Sequence, residues 1–255
     1  MADITWTGAT SGDISVSGNW DSGVPGTGDK AIIPDASTTS NDPSSGSISC
    51  DDVELQVSGV IAGGTWTFSN ALTTVGSITG GTFNWGSGAT FNGGGTISGG
   101  TFTGTGTGTM NFNGSGGDTT ISGGTFNVAG GYQDSFGNLT ISGGTWSGGA
   151  ASANTATGSI EGTWNCSLST AMSPGGTGVF NGAVTANLGS LGGTFNGTYT
   201  QGGGGDFTGT YNGDVIWASD QLFPGNGSMT NVKKRISFDG GTNWLYPPRT
   251  RGSIF

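Results

Sequence analysis

The sequence predicts an all-β protein: a right-handed parallel β-helix, or β-solenoid, with coils of about 20 residues, capped at both ends. Three observations predict it. The composition is lopsided, with 56 Gly among 255 residues and only 31% hydrophobic positions, so one wide globular core is hard to fill. A flexible linker is also a poor description, because 13 Phe and 8 Trp are spread along the chain. Finally, a short phrase recurs at a nearly constant interval.

The phrase begins as Ile61-Ala-Gly-Gly-Thr-Trp66 and returns as Ile78-Thr-Gly-Gly-Thr-Phe83 and Ile97-Ser-Gly-Gly-Thr-Phe102. It continues as Ile121-Ser-Gly-Gly-Thr-Phe126 and Ile141-Ser-Gly-Gly-Thr-Trp146, then shortens to Ile160-Glu-Gly-Thr-Trp164. Looser copies end at Phe195 and Tyr211. Each step from one isoleucine to the next, starting at Ile61, corresponds to one solenoid turn. Within a period, short β-prone runs such as Thr82–Trp85, 89–92 and 96–98 alternate with glycines. Side chains in a strand alternate faces, so Phe83 and Trp85 share one face while Thr82 and Asn84 take the other. The Gly-Gly pairs supply the positive φ angles that corners need. Helix is excluded, since Gly, Thr, Ser and Asn dominate and no period near 3.6 appears.

The aromatics that close each phrase (Trp66, Phe83, Phe102, Phe126, Trp146, Trp164, Phe195 and Tyr211) are expected to stack as an interior ladder. They and the isoleucines are the only large apolar groups available to fill each coil. The competing arrangement, an exposed ladder lining a sugar-binding groove, would leave the coils empty. Thr-rich runs such as 103–109 resemble the flat threonine arrays of ice-binding solenoids, but they lack a regular Thr-x-Thr on one face of every coil, so ice binding is not the expected role.

Residues 1–59 read as an N-terminal cap with the first strands, 60–213 as the Gly/Thr-rich solenoid, and 214–255 as a C-terminal attachment or oligomerisation segment. The N-terminal part contains Trp6-Thr-Gly8, Gly18-Asn19-Trp20, Gly23-Val24-Pro25 and Asp29 before the apolar run ending at Ile33. This series resembles the opening of passenger-like right-handed parallel β-helices in bacterial surface adhesins and in phage virion structural proteins. The resemblance covers roughly positions 1–35, and the solenoid pattern extends it over most of the chain. It implies the fold and a structural or adhesive role. Adhesin passengers carry a signal peptide and an outer-membrane barrel, neither of which is legible here, which tilts the expectation towards a virion protein.

The C-terminal segment is aromatic and basic. Its expected partner-docking residues are Lys233, Lys234, Arg235, Trp244, Tyr246, Arg249, Arg251 and Phe255, and 232–244 reads as a hairpin turning at Asp239-Gly240. Charge is polarised: positions 1–54 hold nine carboxylates against Lys30, and positions 55–232 hold six carboxylates with no Lys or Arg. Such an acidic body repels phosphates, so nucleic acid is not an expected partner. No run of about 18 apolar residues exists, so no membrane partner is expected.

Catalytic and metal sites are expected to be absent, and no cofactor is called for. Cleavage of polysaccharide needs paired carboxylates about 5–10 Å apart. The acids Asp118, Asp134, Glu161, Asp206 and Asp214 do not recur at one coil length, and no base supports them. Asp51, Asp52 and Glu54 form an acidic cluster that reads as solvated surface rather than a Ca²⁺ site. Cys50 and Cys166 lie about six coils apart, too far for a disulfide, and are expected as buried thiols.

The function expected is non-enzymatic: a phage virion protein, as capsid decoration or fibre, docking through its C-terminal segment. The alternatives are a secreted bacterial adhesin or surface-filament subunit, and a polysaccharide depolymerase. Expected partners are other virion or surface-assembly proteins, further copies of the chain as a homotrimer or polymer, and cell-surface glycans. The expected location is the virion, with the cell surface as alternative.

Overall fold

The protein is a parallel β-solenoid in a computed structural model that describes residues 1–112, 118–134, 139–153, 161–165, 168–170, 178–186, 192–201, 209–217 and 236–237. The named strand ladders are all parallel, and each strand pairs with its equivalent one coil later. The chain therefore winds round a common axis and presents three faces.

The aromatic face carries Thr82–Trp85, Thr101–Gly104, Thr125–Val128, Thr145–Gly148, Thr163–Trp164, Val179–Phe180, Thr194–Phe195 and Thr210–Tyr211. The second face begins with Ala2–Thr5 and Asp29–Ile33 and runs through Thr90–Gly93, Thr109–Phe112 and Tyr132–Asp134 to Val215–Trp217. The isoleucine face is shorter: Val60–Ile61, Ser77–Ile78, Gly95–Ile97, Thr119–Ile121 and Leu139–Ile141. Two long strands, Ser47–Leu55 and Thr65–Thr74, run from the aromatic face onto the second face. Their pairing slips between Cys50 and Asp52, an irregularity that lets a strand bend round a corner without breaking.

The two glycines of each corner do different jobs. The second sits at positive φ, +100° at Gly81, +102° at Gly100 and +109° at Gly124, a region L side chains rarely enter. The first is held by space. A Cβ on Gly80 would run into the Ala62 carbonyl oxygen, and one on Gly99 into that of Thr79. Coils can stack at sheet spacing only because nothing projects there.

Inside, the ladder forms as the spacing predicts. Phe83, Phe102, Phe126, Trp146 and Trp164 are buried, and successive rings lie within 6–8° of parallel. Ring centroids are 4.9 Å apart at Phe83–Phe102, 4.8 Å at Phe102–Phe126 and 4.6 Å at Trp146–Trp164, the distance between neighbouring strands. The stack continues through Phe180, Phe195 and Tyr211 at 4.9 Å per step. Opposite, Ile61, Ile78, Ile97, Ile121 and Ile141 align in register, each at most 1% exposed. No ring of the ladder reaches the surface, so it is core and not a sugar platform.

The coils are unequal in length. Register on the aromatic face places Thr82 beside Thr101, then Thr125, Thr145, Thr163, Val179, Thr194 and Thr210. The longest of these steps runs from Thr101 to Thr125, and the shortest from Val179 to Thr194. From Thr163 onward the described coils show strands only on the aromatic and second faces. Coils so short leave little chain for a third strand once corners are made. The parallel ladder also continues beyond Gly213, where the phrase fades: Val215–Trp217 pairs with Ile236–Ser237.

Candidate interaction surface

The chain from Met1 to Leu55 builds the N-terminal end from specific polar contacts. Asn19 is fully buried, and its Oδ1 accepts from the Thr10 and Ser11 amides and from the Thr10 hydroxyl, at 2.8, 2.9 and 2.6 Å. Its Nδ2 donates to Ser11 Oγ and the Asp13 carbonyl. Trp6 and Trp20 meet edge to face, with centroids 5.0 Å apart, and their indoles donate to the Asn41 and Ile14 carbonyls. Gly8 is needed because a Cβ there would strike the Asn41 backbone. The Trp-x-Gly and Asn-Trp phrases are therefore the parts of one folded loop set. At the first strand, Thr5 donates its amide to Asp21 Oδ1 and accepts from the Asp21 amide at its carbonyl. Those contacts occupy backbone groups that an open sheet edge would offer to another chain.

Lys30 lies outward on the second face, 2.9 Å from Glu54 and 3.6 Å from Asp3. The Glu54 pair holds its ammonium above the ordinary lysine range, while Gln56 first and Lys30 second hold the Glu54 carboxyl below its own. The acidic cluster is used locally: Asp51 accepts from Ser69 Oγ and Asp52 from the Ala71 amide. Among the described residues, no group of three or more His, Cys, Asp or Glu is arranged to hold a metal ion. Cys50 is a buried free thiol whose pKa burial pushes up to about 12. Burial also raises the phenols of Tyr199 and Tyr211, and Tyr199 donates to Gln201 Oε1 inside the coil. Cys166 lies outside the described residues.

Three of the body carboxylates are dispersed. Asp118 precedes the isoleucine-face strand Thr119–Ile121, Glu161 stands at the corner before Thr163–Trp164, and Asp214 precedes Val215–Trp217 on the second face. They belong to different coils and different sides of the solenoid, whereas a hydrolytic pair must flank one bond. Asp206 lies outside the described residues, and Asp134 is described only as the end of its strand. The expected docking residues Lys233, Lys234, Arg235, Trp244, Tyr246, Arg249, Arg251 and Phe255, and the 232–244 hairpin apart from Ile236–Ser237, also lie outside them.

What the register does assemble is the outward aspect of the aromatic face. The residue before each buried ring is Thr in every described coil from Thr65 to Thr210, with Val179 as the single exception among them. Two positions on, a second outward column contains Thr67, Asn84, Thr103, Asn127 and Ser147. It continues as Asn165, Asn181, Asn196 and Asn212, each of the last three donating its amide to the Asn one coil before it at 2.7 Å. Neither column contains a charge or, apart from Val179, an apolar residue. The phrase pointed inward, to its isoleucine and aromatic; the Thr and Asn flanking each aromatic were the signal for this outer surface.

Comparisons with protein-family models, curated proteins and solved structures return no match.

Proposed function

We propose that this chain is a non-enzymatic structural or adhesive β-solenoid, and specifically a phage virion protein serving as capsid decoration or fibre. The observation that carries the reading is charge polarity along the sequence. Between positions 55 and 232 there is no Lys or Arg, while five of the six basic residues fall at 233–251. A body of that kind stays soluble and refuses polyanions, and a basic aromatic end supplies the features of a docking segment. The N-terminal loops support the same polarity by occupying the Thr5 backbone at the first strand, and attachment through the C-terminal segment is favoured. Dispersed carboxylates and the buried aromatic ladder support a structural role over polysaccharide cleavage.

The test is mass spectrometry of purified particles from a host producing the chain, paired with a Lys233→Glu, Lys234→Glu, Arg235→Glu variant. The expected result is the chain in intact particles and loss of the variant from them. A chain absent from particles but present on cell surfaces would overturn the virion reading in favour of an adhesin.

A further inference from the structure

We infer that the outward aspect of the aromatic face is an ice-binding surface whose ligand is a lattice of ordered water. Four observations converge on it. First, the surface is regular: the Thr column repeats once per coil, and five of the ring pairs beneath it repeat every 4.6–4.9 Å. Second, the rings beneath it keep one orientation, staying within 6–11° of parallel from coil to coil. Third, the two columns stand two positions apart along each strand, about 6.6–6.8 Å across the face. Those two perpendicular spacings lie close to the oxygen repeats on a prism plane of hexagonal ice. Fourth, the face is chemically even, with Thr82, Thr101, Thr125, Thr145, Thr163 and their column neighbours offering hydroxyls and methyls but no charge.

Charge decides the occupant. A charged group binds its own hydration shell, which does not fit a neutral crystal, whereas hydroxyls and amides donate and accept as water does. Rigidity matters too. Threonine is β-branched and stiff at χ1, and hydrogen bonds between successive Asn side chains fix the amide column from Asn165 to Asn212. A dry protein interface is poorly served, since such patches are rich in aromatic residues and Met, and here the rings face inward. Val179, the single departure in the Thr column, keeps the threonine shape and loses only the hydroxyl.

The inference does not depend on the virion reading, and failure of either leaves the other standing. The experiment grows ice slowly from a dilute solution of the full chain and measures protein taken into the ice, together with the rate of ice recrystallisation. The wild type is expected to enter the ice and slow recrystallisation, and Thr125→Lys with Thr145→Lys to lose both effects. Thr185→Lys with Thr200→Lys, outward on the second face, is expected to retain them. Circular dichroism checks folding; if the first pair misfolds, Thr125→Ser with Thr145→Ser takes its place, with weakening expected from the lost methyls. Exclusion of the wild type from ice overturns the inference, as does equal activity of variants on the two faces. Capture by a neutral polysaccharide or self-association through this face, without ice uptake, assigns the surface to that partner and overturns it as well.

Discussion

The N-terminal end and the repeat body solve the same problem by opposite means. The chain up to Leu55 is held by contacts that occur once: the Asn19 hub, the Trp6–Asn41 and Trp20–Ile14 bonds, and the Lys30–Glu54 pair. The body is held by contacts that recur, a ring on a ring and an isoleucine on an isoleucine. The first region adds to its buried Ile4, Ile14 and Ile33 a few polar groups that cannot be buried unpartnered. In the second, stability is a sum of nearly equal coil-to-coil terms. The difference teaches what each can tolerate: a unique hub fails by losing one atom, a repeat by losing room between coils.

The largest effect should come from the body's core. Phe126→Ala removes a ring stacked on both neighbours and should cost about 3–5 kcal/mol, read by denaturant unfolding. Should it cost under about 1 kcal/mol, the ladder is not the principal support. Next is Gly99→Ala, which drives a Cβ against the Thr79 carbonyl and should cost about 1–3 kcal/mol by overpacking. Its control is Gly86→Ala, where a Cβ meets nothing within 4 Å and a change within about 0.5 kcal/mol is expected.

Asn19→Ala tests the hub. It strands the Thr10 and Ser11 amides and should cost about 1–3 kcal/mol, with hydrogen exchange rising between Thr7 and Trp20 while the body stays protected. In the folded protein Cys50 should resist alkylation at neutral pH, because the thiol is buried and protonated. Residue-resolved mass spectrometry should show faster Cys50 labelling in the Asn19 variant if the hub holds the adjacent coil shut.

The smallest effect belongs to Lys30. Glu54 titrates below its ordinary value, so its contribution is present above the unfolded pKa and fades as pH falls through the folded one. Lys30 titrates above its ordinary value, so its contribution holds below the unfolded pKa and fades as pH rises through the folded one. The pair should therefore help at neutral pH, by under about 1 kcal/mol because solvent screens it. Lys30→Met should remove the fade at the alkaline end and only lessen it at the acid end, because Gln56 still holds the Glu54 carboxyl low; a loss of several kcal/mol would mean that the N-terminal coils rest on charge rather than on the Asn19 hub.

Much of the body was legible because its rules are local. Alternation along Thr82–Trp85 settles which residues face inward, and paired glycines mark corners whatever lies beside them. The N-terminal loop set was legible only as a resemblance. That Asn19 reaches Thr10 and Asp13, or that Trp6 reaches Asn41, follows from closing loops of irregular length, which no periodicity encodes. The outer surface lies between these cases. Every Thr and Asn in it sits beside an aromatic that the repeat identifies, yet the unequal coil lengths hide their alignment in the linear sequence.

By itself, then, the sequence determined the parallel solenoid, the buried ladder and the glycine corners, because period-two alternation and positive φ act over short stretches of chain. The tertiary structure decided the register between coils. Register depends on how backbone pairing accommodates unequal coils, and it brings Thr101 beside Thr125 across a long coil and Asn181 beside Asn196 across a short one. Two uncharged columns exist only once that stacking is made.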